Sequence, residues 1–565
     1  MAKKYLIVGG VAAGASAAAR LRRLDDKAEI IMFEKGPHVS FSNCGLPYHL
    51  GGHIEPAEKL ILMTPEKFDT RYNIEARTNS EVISVDKSNK TVSVINHITG
   101  EECTESYDKL VLAVGAKPIV PPFEGLETIN HFILRNVVDV KKIHKAVFNS
   151  EKPVKDVTVI GAGFIGIEVA ENLKERGFNV TIVEMANQIM RPFDYEMVKY
   201  LEKELLDHDI NLMLSEKVVG FESDKVLLES GKEVKSDLVV LAIGVAPDTA
   251  FLKNVGIDLA KSGHIIVNEN YQTSDKDIYA AGDAILVKNA LTGQDFNLPL
   301  AGPANKQGRL IADHINGRKI VNKGYIASSI IQIFNYTGAA TGLNEAWIKF
   351  HNLDIDYQVA YTAPFDRVSI MPNAQNVFTK ILFEKNTGKL LGAQTIGKGI
   401  VDKRADVFAT AIKAGMTVED LQDLELCYAP PYSTGKDVVN HTGYVANNLL
   451  NGDFKQVLFT DVEKLLAKSA QIIDVRELSE TSKGMLVGAK NIPMSEIRNR
   501  LSELDKTKPV YVHCQSGQRS YNVTLMLQHH GYDVYNIAGG YAMISNYYGT
   551  CLLYTSDAAD EAKWG

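Results

Sequence analysis

The chain has 565 residues, 45% hydrophobic and 23% charged, with a formal net charge of −8. That length exceeds a single core and predicts three or four domains of about 100 to 200 residues each. The acidic balance, with no broad basic field, argues against nucleic acid as a partner, and the lack of any apolar run of about 18 residues argues against membrane insertion.

The opening MAKKYLIVGGVAAGASAAARLRR has the lysines and small residues of a signal peptide, but Gly9 and Gly10 break its apolar run early. A strand entering a helix is the better reading, and a cytoplasmic protein is expected. The cysteines Cys44, Cys103, Cys427, Cys514 and Cys551 are odd in number and widely spaced, unlike a secreted disulfide framework. There is no CxxC pair, no metal site is expected, and His49 occupies the place where a CxxxxC redox pair would put its second thiol.

In chain order, Tyr5 to Gly10 predicts a strand, Ala12 to about Arg23 a helix, and AEIIMFEK a second strand ending in Glu34, with Glu34 and Lys35 as candidate nucleotide contacts. Strand, glycine turn, helix, strand and acid make the dinucleotide-binding arrangement. Gly9, Gly10, Ala13 and Gly14 are its candidate contacts, although Val11 stands where the middle glycine belongs. Taken alone, this copy leaves open a glycine turn in an unrelated α/β unit. The second copy, VTVIGAGFIGIEVAENLKERGFNVTIVE, has Gly161, Gly163 and Gly166 in place, with Phe164 and Ile165 between them and Glu184 closing the next strand. Glycines there allow a tight turn and close approach of a pyrophosphate to a helix N-terminus. A terminal carboxylate accepts hydrogen bonds from ribose hydroxyls and repels a 2′-phosphate, so Glu184 favours NADH over NADPH.

DIYAAGDA (Asp277 to Ala284) resembles the FAD motif of flavoproteins that carry two dinucleotide-binding domains. The resemblance implies that the first nucleotide is FAD, contacted by Gly115, Gly282, Asp283 and Ala301. KLVLAVGAKP and LVVLAIGVAPDT resemble the two crossings that bracket the NAD domain there, which adds Gly244 to the nucleotide contacts. Alone, each reads as a buried strand and turn. The expected organisation is α/β: an FAD-binding domain over residues 1–118 and 242–322, an NAD-binding domain over 119–241, an α+β dimerisation domain over 323–450, a further α/β domain over 456–548 and a tail over 549–565. In the third domain, GYIASSIIQIFNYTGAATG and NVFTKILFEKNTGKLLGAQTIG alternate as strands and KRADVFATAIKAGMTVEDL forms a helix. The resemblance to the dimerisation domain of these flavoproteins implies a homodimer.

SFSNCGLPY places Cys44 among small polar residues, where a packed structural thiol is not expected. Within the flavoprotein frame it resembles the single-cysteine subgroup of coenzyme A disulfide reductases, NADH peroxidases and NADH oxidases. There the thiol lies beside the flavin and cycles between thiolate and a mixed disulfide or sulfenic acid. The first glycine turn lacks the histidine with which the peroxidases and oxidases split an O–O bond, which argues against peroxide. Ser16, Arg20, Arg23, Ser40 and Asn43 match coenzyme A contacts of the disulfide reductases, as does Lys436; the plain reading of either arginine is a solvated helix face. Tyr361 and Tyr428 match tyrosines that the second subunit brings to the thiol, against core packing as the ordinary role. Cys427 reads as structural.

In the final domain, VYVHCQSGQRSYNVTLMLQHHGY predicts a strand to His513, then Cys514, a polar loop and a helix from about Ser520. Loop amides aimed at the Cys514 sulfur make an anion nest for a thiolate or persulfide. DVRE (Asp474 to Glu477), CxxGxR (Cys514, Gly517, Arg519) and AGGY resemble a single rhodanese domain over roughly 458 to 545. A tyrosine phosphatase loop has five residues between cysteine and arginine; here there are four. The tail has no pattern tying it to a fold and reads as a possible artefact.

The reading is an FAD-dependent NADH oxidoreductase that reduces coenzyme A persulfide, polysulfide or coenzyme A disulfide through Cys44, coupled to sulfur transfer at Cys514 and Arg519. Its rivals are an NADH oxidase or peroxidase, and a coenzyme A disulfide reductase whose rhodanese domain is an independent docking or sulfur-sensing module.

Overall fold

The computed structural model describes residues 2–549 and 551–554. They form two compact units, Met1–Ile189 with His208–Tyr325, and Met190–Asp207 with Ile326 onward.

The first unit contains two parallel five-stranded sheets. One runs in the order Ile278–Ala280, Lys109–Leu112, Lys4–Val8, Glu29–Phe33 and Glu75–Arg77. The other runs Asn211–Leu214, Asn179–Glu184, Asp156–Ile160, Leu238–Leu241 and His131–Ile133. Their central strands are near-continuous apolar runs because parallel sheets are covered on both faces; Leu6, Ile7, Val111, Val159 and Val240 are fully buried.

In both sheets a central strand feeds a glycine turn and a helix, Ala12–Leu24 in one and Phe164–Glu175 in the other. Gly9 and Gly161 take nearly the same left-handed backbone, with φ of +100° and +104°. A Cβ on Gly14 would stand 1.8 Å from the Gly9 carbonyl oxygen, and one on Gly166 1.9 Å from that of Gly161. Helix-to-turn contact therefore requires glycine at these positions in both copies. No protein atom lies within 4 Å of a Cβ on Gly163, so packing does not explain the middle glycine that Val11 replaces in the first copy. The two crossings pair with each other as antiparallel strands, Ala116–Pro118 with Val245–Pro247.

The second unit is built on an antiparallel sheet, Ser329–Ile333, Tyr336–Gly342, Leu390–Gly397, Val377–Glu384 and Tyr357–Thr362 in spatial order. Helix Tyr195–Asp207, inside the stretch assigned above to the NAD domain, packs here instead: a Cβ on Gly338 would meet Leu201 at 2.9 Å and Phe193 at 3.1 Å. Tyr200 stacks on Phe378 at 4.1 Å. Beside it the fully buried Lys380 ammonium sits among Asp194 (2.8 Å), Glu196 and Glu345 (2.9 Å). The single helix expected over KRADVFATAIKAGMTVEDL is two, Asp402–Ala414 and Val418–Asp423. Left-handed Gly415 (φ +74°) ends the first, and a Thr417–Asp420 capping box starts the second.

The C-terminal domain is a parallel sheet in the order Lys455–Val457, Val534–Ile537, Val510–His513, Gln471–Asp474 and Lys490–Asn491. It is docked on the antiparallel sheet of the same unit through rings: Phe459 meets Tyr361 edge-on at 5.2 Å and Tyr547 at 5.7 Å, and Tyr547 meets Tyr195 at 6.1 Å. The Gln456 side chain donates to the Val359 carbonyl at 2.8 Å. Part of the tail also joins the fold, since Leu553–Tyr554 pairs with Met485–Leu486; residues 555–565 lie outside the described residues. Among the described residues, no helix is long and apolar enough to cross a membrane.

Candidate active site

Cys44 occupies a short turn, Asn43–Gly45, that leads into helix Leu46–Leu50 with Pro47 in its first turn. The loop is pinned to the first glycine turn: Ser40, in a left-handed conformation (φ +46°), donates its amide to the Gly10 carbonyl at 2.8 Å. Cys44 is exposed and has no disulfide partner. Enough protein surrounds its sulfur that desolvation, followed by the Glu168 and Asp283 carboxylates, pushes the thiol up, against its own amide and Arg135. Glu168, on the helix of the second glycine turn, is raised to about 7 by burial. Asp283 pairs with Arg135 at 3.2 Å. Tyr48, one turn past the thiol, is raised to about 12 by burial and by Glu168, Glu171 and Cys44.

The nucleotide positions form two matching sets. Glu34 accepts from the amides of Gly10 and Gly36, each at 2.9 Å; Glu184 accepts from Ala162 and Ala186, each at 2.8 Å. Both helices begin without a side-chain cap and without an acid in the first turn. Their free amides and positive ends suit a pyrophosphate, so the residues present fit two dinucleotides. Gly282 (φ +78°) gives its amide to Gln307 at 2.7 Å and carries Asp283 beside it. Gly115 and Gly244 hold positive φ at the crossings, Ala301 opens helix Ala301–Ile315, and Lys35 pairs with Asp248. Ala13 is buried on the first helix, whereas Ile165 is exposed on the second.

The coenzyme A positions are dispersed in their engagements. Arg20 is committed to Asp313 by two hydrogen bonds of 2.9 and 2.6 Å, and Ser16 donates to Asn305 at 2.6 Å. Arg23 is exposed and lies 5.6 Å from the Tyr72 ring. Asn43 flanks the thiol. Lys436 is exposed 5.7 Å from the Tyr444 ring, and Tyr428 is 54% exposed. Tyr361 requires a correction: it is 5% exposed, its ring is covered by Phe459, and its hydroxyl donates to Glu196 at 2.7 Å. It is interior to its own unit and offers no surface to another subunit. Cys427, read as structural, is exposed.

Cys514 follows strand Val510–His513 and is 1% exposed. The Gly517 amide donates to its sulfur at 3.2 Å and the Ser520 hydroxyl lies 3.5 Å away. Gly517 (φ +100°) turns the loop into helix Gln518–His529, two residues earlier than expected. The two terminal nitrogens of Arg519 each donate to Glu480 at 2.6 Å. Arg476 is buried, bonded to Asp474 and stacked 3.7 Å from the Tyr541 ring.

The model of the pyridine nucleotide-disulphide oxidoreductase family matches residues 3–308, and that of its dimerisation domain residues 328–438. The chain belongs to this family. A rhodanese-like domain matches residues 458–546. A coenzyme A disulfide reductase of Staphylococcus epidermidis is 35% identical over 446 residues, 78% of this chain and 99% of that one. The crystal structure of reduced Bacillus anthracis CoADR-RHD superposes with a TM-score of 0.95 at 45% identity, covering 98% of this chain and 100% of that one. An NAD-dependent persulfide reductase of A. fulgidus gives 0.90 at 35%, covering 96% and 99%. Membership of this family implies FAD and a pyridine nucleotide as cofactors.

Sequence reasoning missed Glu168, Arg135, Tyr48 and Glu480. Glu168 had a signal, a lone carboxylate in the apolar run FIGIEVA. Glu480 had a weaker one, an acid six residues after Asp474. Arg135 had none, because only the fold brings it to Asp283.

Proposed function

We propose that this protein reduces the sulfur–sulfur bond of coenzyme A persulfide, polysulfide or coenzyme A disulfide with electrons from NADH, and that Cys514 handles sulfane sulfur in the same chain. One observation carries the reading: a single exposed thiol without a protein partner stands where Glu168 of the second nucleotide fold and Asp283 of the first both act on it. A lone thiol has no internal disulfide to form, so the substrate must provide the second sulfur. The thiolate of Cys44 attacks one sulfur of R–S–S–H; the bond between the two substrate sulfurs breaks, a bond to Sγ forms, and the other sulfur leaves as hydrosulfide or thiolate. Bound at the two glycine turns, a flavin and a nicotinamide would provide the two-electron reduction that returns Cys44 to the thiol.

The protein's own residues tune that thiol. Burial and two carboxylates hold Cys44 protonated, so its ionisation depends on Arg135 and its own amide, which oppose them. Glu168, poised near neutrality and within electrostatic reach of Cys44, can hold or yield a proton for the site. The carboxylate of Glu184, held at a strand end by the amides of Ala162 and Ala186, would accept hydrogen bonds from ribose hydroxyls and repel a 2′-phosphate, which supports NADH as the donor. Arg23, Ser40, Asn43 and Ser16, with Arg20 released from Asp313, are the contacts for coenzyme A; Lys436 and Tyr428 are exposed for the same task in a homodimer.

The test is anaerobic NADH consumption with coenzyme A disulfide and with coenzyme A persulfide. Loss of both activities in Cys44→Ser, with selective slowing of persulfide turnover in Cys514→Ser, supports coupled sulfur reduction. Unchanged turnover in Cys44→Ser overturns the reading; unchanged turnover in Cys514→Ser separates the two halves.

A further inference from the structure

The surroundings of Cys514 hold two guanidinium groups, and each is neutralised by a carboxylate of its own. Arg476 is spent on Asp474 within the core, both groups being at most 2% exposed. Arg519 stands further out, its side chain about one-third exposed; it interacts with the Cys514 sulfur, but both of its terminal nitrogens are held by Glu480. His513, the other titratable group next to the thiol, is fully buried and kept neutral by desolvation. No uncompensated cation among these groups faces an incoming donor. Two residues before Glu480, Leu478 is 66% exposed and gives the same short helix an apolar side chain at the surface.

We propose that Glu480 is a specificity-determining residue for Cys514: by occupying the fork of Arg519 it denies that guanidinium to small dianionic sulfur donors and leaves the site to organic persulfides. The inference rests on the reading of Cys514 as a sulfur-accepting thiol. The two donors differ in charge at the reacting end. With a persulfide, the Cys514 thiolate attacks the outer sulfur of R–S–S⁻, the substrate S–S bond breaks, R–S⁻ leaves and the protein keeps Cys514–S–S⁻. With thiosulfate, the thiolate attacks the outer sulfur and sulfite leaves with two charges. Neither transfer changes the net oxidation level. The second requires a cation to receive the dianion, and here the candidate cation is already bidentately paired, the geometry in which a guanidinium binds an oxyanion most strongly.

The experiment compares full-length protein with Glu480→Gln and Glu480→Asp, using thiosulfate and glutathione persulfide as donors and cyanide as acceptor, with the Cys514 persulfide trapped by alkylation and weighed by mass spectrometry. Removing the charge should raise kcat/KM for thiosulfate at least about tenfold, the scale of one charge-assisted hydrogen bond, and make it salt-sensitive. Turnover of glutathione persulfide should change less than about twofold on the same scale. Glu480→Asp, which keeps the charge, should stay poor with thiosulfate. An unchanged donor ratio in Glu480→Gln, or an equal rise in Glu480→Asp, overturns the proposal. If no persulfide forms on Cys514 with either donor in any of the three proteins, the underlying reading of Cys514 fails instead.

Discussion

Replacing Glu168 by glutamine removes a charge that the fold resists while keeping the side chain's shape. Burial raises the carboxyl from an ordinary 4.5 to about 7. The folded protein therefore keeps a proton that the unfolded chain releases earlier, and folding takes up that proton between the two values. The resulting stability is fully present below the unfolded value and is lost as pH rises through about 7. At about 1.4 kcal/mol per pH unit the loss totals roughly 3 kcal/mol. Glu168→Gln should thus match the parent in acid and exceed its stability by up to roughly 3 kcal/mol at mildly alkaline pH. Urea unfolding of the flavin-loaded protein at about pH 5 and about pH 8, followed by the fluorescence of released flavin, reads the difference. The alkylation rate of Cys44 gives a second readout, because loss of the neighbouring carboxylate should move its pH profile to lower pH. Stability curves that stay parallel across this range would refute the argument.

Lys380→Met should leave buried Asp194 and half-buried Glu196 and Glu345 without their shared cation, costing about 3–5 kcal/mol; urea denaturation of the two proteins checks this, and equal midpoints would reject it. In Glu184→Ala, the ratio of kcat/KM for NADH over NADPH should fall about tenfold as repulsion of the 2′-phosphate disappears, and an unchanged ratio would reject the assignment. Asp313→Asn should free Arg20 and lower KM for coenzyme A disulfide about two- to threefold at unchanged kcat, in keeping with the small worth of a partly exposed ion pair. A KM that stays put would remove Arg20 from the coenzyme A contacts.

The features readable in sequence are those that local chemistry dictates. Gly9, Gly14, Gly161 and Gly166 are required by a left-handed backbone or a carbonyl close to Cβ, so both nucleotide folds show directly. Val11 weakened the first motif without weakening the turn, because packing leaves the equivalent Gly163 unconstrained. Cys44 and the Cys514 loop were legible for the same reason, each lying beside a short, punctuated turn. Long-range pairing was not legible. Arg20 looked like a free phosphate ligand until the fold placed Asp313, almost 300 residues away, against it. Tyr361 fitted a motif but was claimed by Glu196 and Phe459. Helix Tyr195–Asp207 follows the second nucleotide fold in sequence, yet its apolar face belongs to the antiparallel sheet.

The ring contacts that seat the C-terminal domain bear on how such a chain tolerates excision. Phe459 covers Tyr361, and Tyr547 covers Tyr195, on a surface otherwise built from the antiparallel sheet and its helix. Cutting the chain just before Lys455 would uncover those tyrosines together with the unpaired Val359 carbonyl that Gln456 serves. The remainder would present an aromatic patch prone to self-association. Separating the two chemistries therefore calls for inactivating a thiol in the intact chain rather than shortening it, and in evolution the loss of the appended domain would select for polar replacements at Tyr195 and Tyr361.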